Sequence, residues 1–156
     1  MRLMSVAALI AAAAVLAACE PSPPDGVDKA ALDEAVARAI GSPSTCVLVA
    51  ENGGKLAYRY GTHTVCARSI AACDMPGTTT ATVQLDAARM GAARTASCDT
   101  AEEASRGVAW ASGPLPALKG KSARGMAYAA FMEGPEALSG REAKQRLENA
   151  FAKVGL

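Results

Sequence analysis

Apolar residues are distributed along this chain in three different rhythms. Residues 3–18 form an unbroken run with no charge and only Ser5 as a polar side chain, preceded by Arg2 and the terminal amine. From 28 to 40 the pattern turns helical. Leu32, Ala35, Val36, Ala39 and Ile40 recur on one face, Asp28 stands in the N-cap position, and Gly41 followed by Pro43 ends the segment. Residues 45–50 and 55–60 are β-rich runs joined through Asn52-Gly53-Gly54. Asn-Gly supplies the two positive φ values of a type I′ turn, so Glu51 is expected opposite Gly54, with Val47, Val49, Leu56, Tyr58 and Tyr60 on one sheet face.

The last third is equally legible. Residues 107–112 and 124–133 are two further strand candidates separated by a Pro/Gly/Lys-rich connection. Ser139 and Glu142 have capping-box spacing, and Ala143, Leu147, Ala150, Phe151 and Val154 mark one stripe of a closing helix. Between these halves, 78–85 reads as a short strand, and 86–96 fits strand, loop or helix equally well. The predicted fold is α+β: a small antiparallel sheet of four to five strands with N- and C-terminal helices packed on one face, in a single domain over 28–156. Similar element orders occur in profilin-like domains and in the sheet half of serine β-lactamases and penicillin-binding proteins, a likeness of fold that carries no function by itself.

The opening run is too short and too rich in alanine for a span of about 20 predominantly apolar residues. It has the grammar of a signal peptide over 1–18. The motif that ends it, Leu16-Ala17-Ala18-Cys19, resembles the lipobox of bacterial lipoproteins. The resemblance implies cleavage before Cys19, a diacylglycerol on its sulfur and acylation of the new amine. A lipid anchor in the bacterial cell envelope, facing the periplasm, is then expected. Two or more acyl chains, at about 0.8 kcal/mol per buried methylene, hold a protein stably on a bilayer. Glu20 stands where the inner-membrane retention signal of enteric bacteria has Asp, which favours the outer membrane. Residues 19–27, with Pro21, Pro23 and Pro24, read as the lipidated N-terminus and a semi-extended tether.

This assignment changes the cysteine arithmetic. The chain has five cysteines, and setting Cys19 aside leaves Cys46, Cys66, Cys73 and Cys98. An even set in an exported chain predicts two disulfides, in any of three connectivities. Charge adds an exclusion. Arg2 is the only one of 16 basic residues in the leader, so the remainder balances the 15 acidic residues and offers no net charge to attract nucleic acid.

Candidate chemistry is sparse. A penicillin-recognising enzyme needs SxxK, an SDN-like segment and KTG; no serine here precedes a lysine by three residues, and Lys119-Gly120-Lys121-Ser122 is the nearest approach to KTG. His63 is the single histidine, so a Ser/His/Asp triad would have to use it, with Asp74 nearby in sequence and no GxSxG elbow. A Cys/His metal set of His63, Cys66, Cys73 and Cys98 lacks the short ligand pairs that structural zinc prefers, and oxidation into disulfides is the stronger expectation. Glu102 with Glu103, and Glu133 with Glu136, are the paired carboxylates; Thr100 and Glu103 could form another capping box, while the second pair flanks a Gly134-Pro135 turn as solvated residues. Trp110 alternates with Val108 and Ser112 and reads as core before ligand-stacking. No metal or cofactor is expected. The chain is expected to be an envelope lipoprotein whose domain is a non-catalytic binding or assembly module for an envelope protein or glycan. The alternatives are a small periplasmic hydrolase using His63, or an inhibitor-like module presenting a loop from 62–78.

Overall fold

The computed structural model describes residues 20–100, 107–115 and 125–156. Residues 1–19, with the expected signal peptide and Cys19, the Glu102/Glu103 pair and Lys119-Gly120-Lys121-Ser122 lie outside the described residues.

Helix α1 (Lys29–Ile40) starts where Asp28 accepts the Ala31 amide at 2.8 Å, and buries Leu32, Val36 and Ile40. Strands β1 (Cys46–Glu51) and β2 (Leu56–Tyr60) follow as a hairpin. The middle of the chain forms a short helix α2 (His63–Cys66), a two-stranded ribbon of β3 (Ile70–Ala71) with β4 (Thr78–Thr79), and helix α3 (Ala81–Arg89). Strands β5 (Arg94–Asp99), β6 (Gly107–Pro114) and β7 (Met126–Gly134) lead into α4 (Gly140–Val154).

The main sheet has five strands in the order β2-β1-β7-β6-β5, with every neighbouring pair antiparallel. The fold is therefore α+β, and α1 and α4 pack side by side on one face as the two helical stripes require. Ser139 caps α4 by accepting the Glu142 amide at 3.2 Å, and Ala143, Leu147, Ala150 and Phe151 are buried. Two buried tyrosines tie these helices to the sheet. Tyr58 donates to Asp33 on α1 at 2.9 Å, and Tyr128 donates to Glu148 on α4 at 3.0 Å. Burial, reinforced by those carboxylates, pushes both phenols far above their ordinary range, so they stay protonated donors.

Close packing at the start of α4 depends on Gly140. A Cβ there would stand 2.5 Å from the Ala96 carbonyl and 2.7 Å from that of Trp110, so the helix crosses β5 and β6 at backbone contact.

Three expectations are corrected. The strand expected over 78–85 is only Thr78–Thr79, and a helix begins at Ala81. Thr80 caps it by accepting the Val83 amide at 3.3 Å, and the buried face of Ala81, Gln84, Leu85 and Ala88 is helical in period but includes a polar residue that hides it. The hairpin turn is not type I′. Neither Asn52 nor Gly53 has positive φ; Gly54 does, at 96°, and Glu51 pairs with Lys55 through its amide at 3.0 Å. The second glycine allows the three-residue loop with a left-handed last position, and tertiary bonds hold it: the Asn52 amide donates to the Gly125 carbonyl at 2.5 Å. Leu56 also changes face. The register slips between Val49 and Ala50, so Ala57 and Tyr58 both join the α1/α4 core while Leu56 packs on the opposite side.

Among the described residues no helix is long and apolar enough to cross a membrane.

Candidate interaction surface

The second face of the sheet is covered by α3 and the ribbon, a layer absent from the sequence-based picture. Its core sets Ala50, Ala81, Ala88, Ala127 and Ala129 beside Leu48, Ile70, Leu85 and Val108, around the pair Trp110 and Phe131 with ring centroids 5.2 Å apart. Small residues bury little area each, and nine residues make a short helix. Other devices hold the layer down.

Both disulfides lie here. Cys46 in β1 joins Cys66 at the end of α2, and Cys73 joins Cys98 in β5. Cys73 adopts φ 70°, the only described non-glycine residue with a positive value, a conformation that persists only where surroundings enforce it. The surroundings are specific. Arg94 on β5 grips Asp74 with both oxygens engaged, its Nε at 2.5 Å, and also donates to the Ala72 carbonyl. The same guanidinium stands over the Trp110 ring at 5.8 Å, and Trp110 Nε1 donates to the Ala71 carbonyl at 2.8 Å. Segment 71–74 is thus clamped by a covalent bond, a forked ion pair and an indole. Bonding to Arg94 holds the Asp74 carboxyl below its ordinary range. At its other end α3 is pinned by Arg89, which bonds Asp86 at 2.9 Å and the Asn52 carbonyl at 2.8 Å.

With its inner face committed, α3 turns Val83 outward, and Met90, the C-cap residue that follows Arg89, is exposed one step further along the same spacing through half-buried Ala87. Val83 is 57% exposed and Met90 83%, and Met75, in the loop that leads into this layer, is 58% exposed. These are the exposed large apolar side chains among the described residues, and all three belong to the α3 layer. Isolated exposed apolar residues are ordinary, and these three are the candidates that the described residues offer for an apolar contact surface.

The sequence-predicted sites fall elsewhere. His63 is exposed in the first turn of α2, and its side chain has no hydrogen-bond or ion-pair partner among the described residues. Asp74, its suggested triad partner, is engaged by Arg94. The set His63, Cys66, Cys73 and Cys98 is not assembled, because Cys66 and Cys73 belong to different disulfides. Trp110 is buried in the sheet and bonded as a core indole must be. The expectation for Glu133 and Glu136 needs correction: Glu136 is exposed, but Glu133 is drawn under the surface by Arg68, whose guanidinium is 2.5 Å from the carboxylate, close enough for an ion pair although off the hydrogen-bonding direction. The stretch 62–78, proposed as a displayed loop, is occupied by α2, the ribbon and the clamp at Cys73. What sequence reasoning missed is Arg94, Met75, Val83 and Met90. The only signal was Thr80 followed by residues 81, 84, 85 and 88 at helical spacing.

The chain matches no model of a known protein family, no curated protein and no solved structure.

Proposed function

We propose that the protein is a lipoprotein of the bacterial cell envelope, anchored through Cys19, whose α+β domain is a non-catalytic binding module that contacts an envelope partner through the α3 layer. The observation that carries the binding reading is the placement of Met75, Val83 and Met90, outward on a layer whose inner side is cross-linked. A short, rigidly fixed helix with apolar outer positions loses little conformational freedom on association. The anchoring part is supported by the pairing of Cys46 with Cys66 and Cys73 with Cys98, which leaves the Cys19 thiol available for acylation.

Anchoring is tested by intact mass and membrane fractionation. The native protein should carry the acyl increment, and Cys19→Ser should abolish both the increment and membrane retention. Binding is tested with a photo-crosslinking residue replacing Val83 or Met90 in intact cells. A discrete adduct at these sites, lost in a Val83→Glu/Met90→Glu variant with unchanged melting, is the expected result; labelling no stronger than from the exposed α4 position Arg146 would reject the surface.

A further inference from the structure

The Pro-rich segment ahead of α1 is laid against the domain. Pro21, Pro23, Pro24 and Val27 are half-buried, Val27 packs on the α1/α4 core, and its amide closes a turn onto the Pro24 carbonyl at 3.1 Å. Glu20 and Pro21 share a cleft with Lys29, Asp33, Arg59 and Tyr60. Ser22, Pro23, Pro24 and Asp25 line a second, of about 590 Å³, with Asn52 and Gly53 of the hairpin turn. The segment therefore runs beside the β1–β2 hairpin from its open end towards its turn. Prolines have little backbone freedom to lose in lying down this way.

That course fixes where an anchor leaves the domain. One peptide bond joins Cys19 to Glu20, so their Cα atoms are about 3.8 Å apart. Glu20 lies at the open end of the hairpin, beside Tyr60. The chain continues from Tyr60 into Gly61, Thr62, His63 and Thr64, all four exposed. This end is stiff: Thr62 caps α2 by accepting the Val65 amide at 3.1 Å, and Cys66 is bonded to Cys46 in β1. Arg59, half-buried at the same end, has no ion-pair partner among the described residues. It offers a donor fork suited to phosphate. The hairpin turn is at the opposite end of β2, about 17 Å away for a five-residue strand, and it holds the C-terminal end of α3 through Arg89.

We infer that in the lipid-anchored protein the open end of the β1–β2 hairpin, with Arg59 and the exposed residues 61–64, rests on the phospholipid headgroups, while the hairpin turn and the end of α3 bearing Met90 face away from the bilayer. The inference rests on acylation at Cys19. It adds a function for His63, which becomes a headgroup-level residue, and it leaves the far end of the α3 layer free for a partner.

The test uses the full lipidated chain in vesicles of phosphatidylethanolamine and phosphatidylglycerol, a fraction of whose headgroups carry a nitroxide. A fluorophore is attached to an azide-bearing residue replacing either Thr64 or Gly53, which leaves the four paired cysteines untouched. Quenching severalfold stronger at position 64 than at 53 is the expected result. The lipid increment is checked by intact mass on the same samples. Equal quenching at the two positions, with the lipid present, overturns the orientation and leaves the anchoring intact; a mass without lipid overturns both. Replacing Arg59 with Gln should weaken the contrast in vesicles containing phosphatidylglycerol, and a contrast unchanged by that substitution removes Arg59 from the contact.

Discussion

The two faces of the sheet are held by different physics. On one, α1 and α4 bury Leu32, Val36, Ile40, Leu147 and Phe151 against Val47, Val49, Tyr58 and Tyr128. Large apolar side chains there remove much area from water, and two phenols bonded to Asp33 and Glu148 set the helices in register. On the other, six alanines share the core with Leu48, Ile70, Leu85, Val108, Trp110 and Phe131, and the layer is stapled by both disulfides, the Arg94–Asp74 pair and the Trp110 indole. A face with fewer large apolar side chains gains more from cross-links, which restrict the unfolded chain. The difference teaches that stability and candidate function are separated: the well-buried face is closed, and the stapled face carries the exposed apolar residues.

The largest effect should come from the first face. Phe151 is fully buried against Tyr128, ring centroids 5.5 Å apart, so Phe151→Ala should cost about 3–5 kcal/mol in denaturant unfolding, whether or not the disulfides are intact. Removing a staple comes next. Cys73→Ala with Cys98→Ala should cost about 2–4 kcal/mol; hydrogen exchange should quicken in α3 and 71–77 and the Trp110 emission shift red, while α4 amides keep their protection. Equal loosening of α1 and α4 would mean that the faces are not separable units. A smaller effect is expected at the α3 cap: Thr80→Ala should lose about 1 kcal/mol in thermal or chemical unfolding, with the loss concentrated in α3 exchange.

The smallest effect is in the acid response. Pairing with Arg94 lowers the Asp74 pKa, so its contribution is fully present above the unfolded carboxyl value, about 3.9, and is lost as pH falls through the depressed folded value. Asp74→Asn should therefore be slightly less stable at neutral pH and lose less on acidification. Parallel pH curves for the two proteins would show that the pair, partly exposed, contributes nothing measurable.

The face that was legible in the sequence is the face held by apolar area. Periodicity reports large side chains at fixed spacing, and 28–40, 45–50 and 139–154 have them. The α3 layer was illegible because its determinants are non-local: Gln84 sits on the buried face only because Thr79 accepts its amide at 2.9 Å, and Arg94 is a core-edge residue only because Asp74, twenty positions earlier, reaches it. Strand β5 suffers likewise. Its alternation of Arg94, Ala96 and Cys98 inward with Thr95, Ser97 and Asp99 outward carries too little apolar contrast to read as half-buried. The hairpin was found, but its turn type was not, since Asn52-Gly53-Gly54 permits two loops and contacts with Gly125 and Arg89 select one.

By itself the sequence determined the terminal helices, four strands of the sheet and the two disulfides expected of Cys46, Cys66, Cys73 and Cys98, because each is written in residue types and spacing along the chain. Tertiary structure alone decided which cysteines pair, where the Pro-rich segment ahead of α1 lies, that Leu56 crosses to the other face and that Val83 and Met90 end up outside. Those outcomes depend on what two distant segments present to each other, and local pattern carries no record of it.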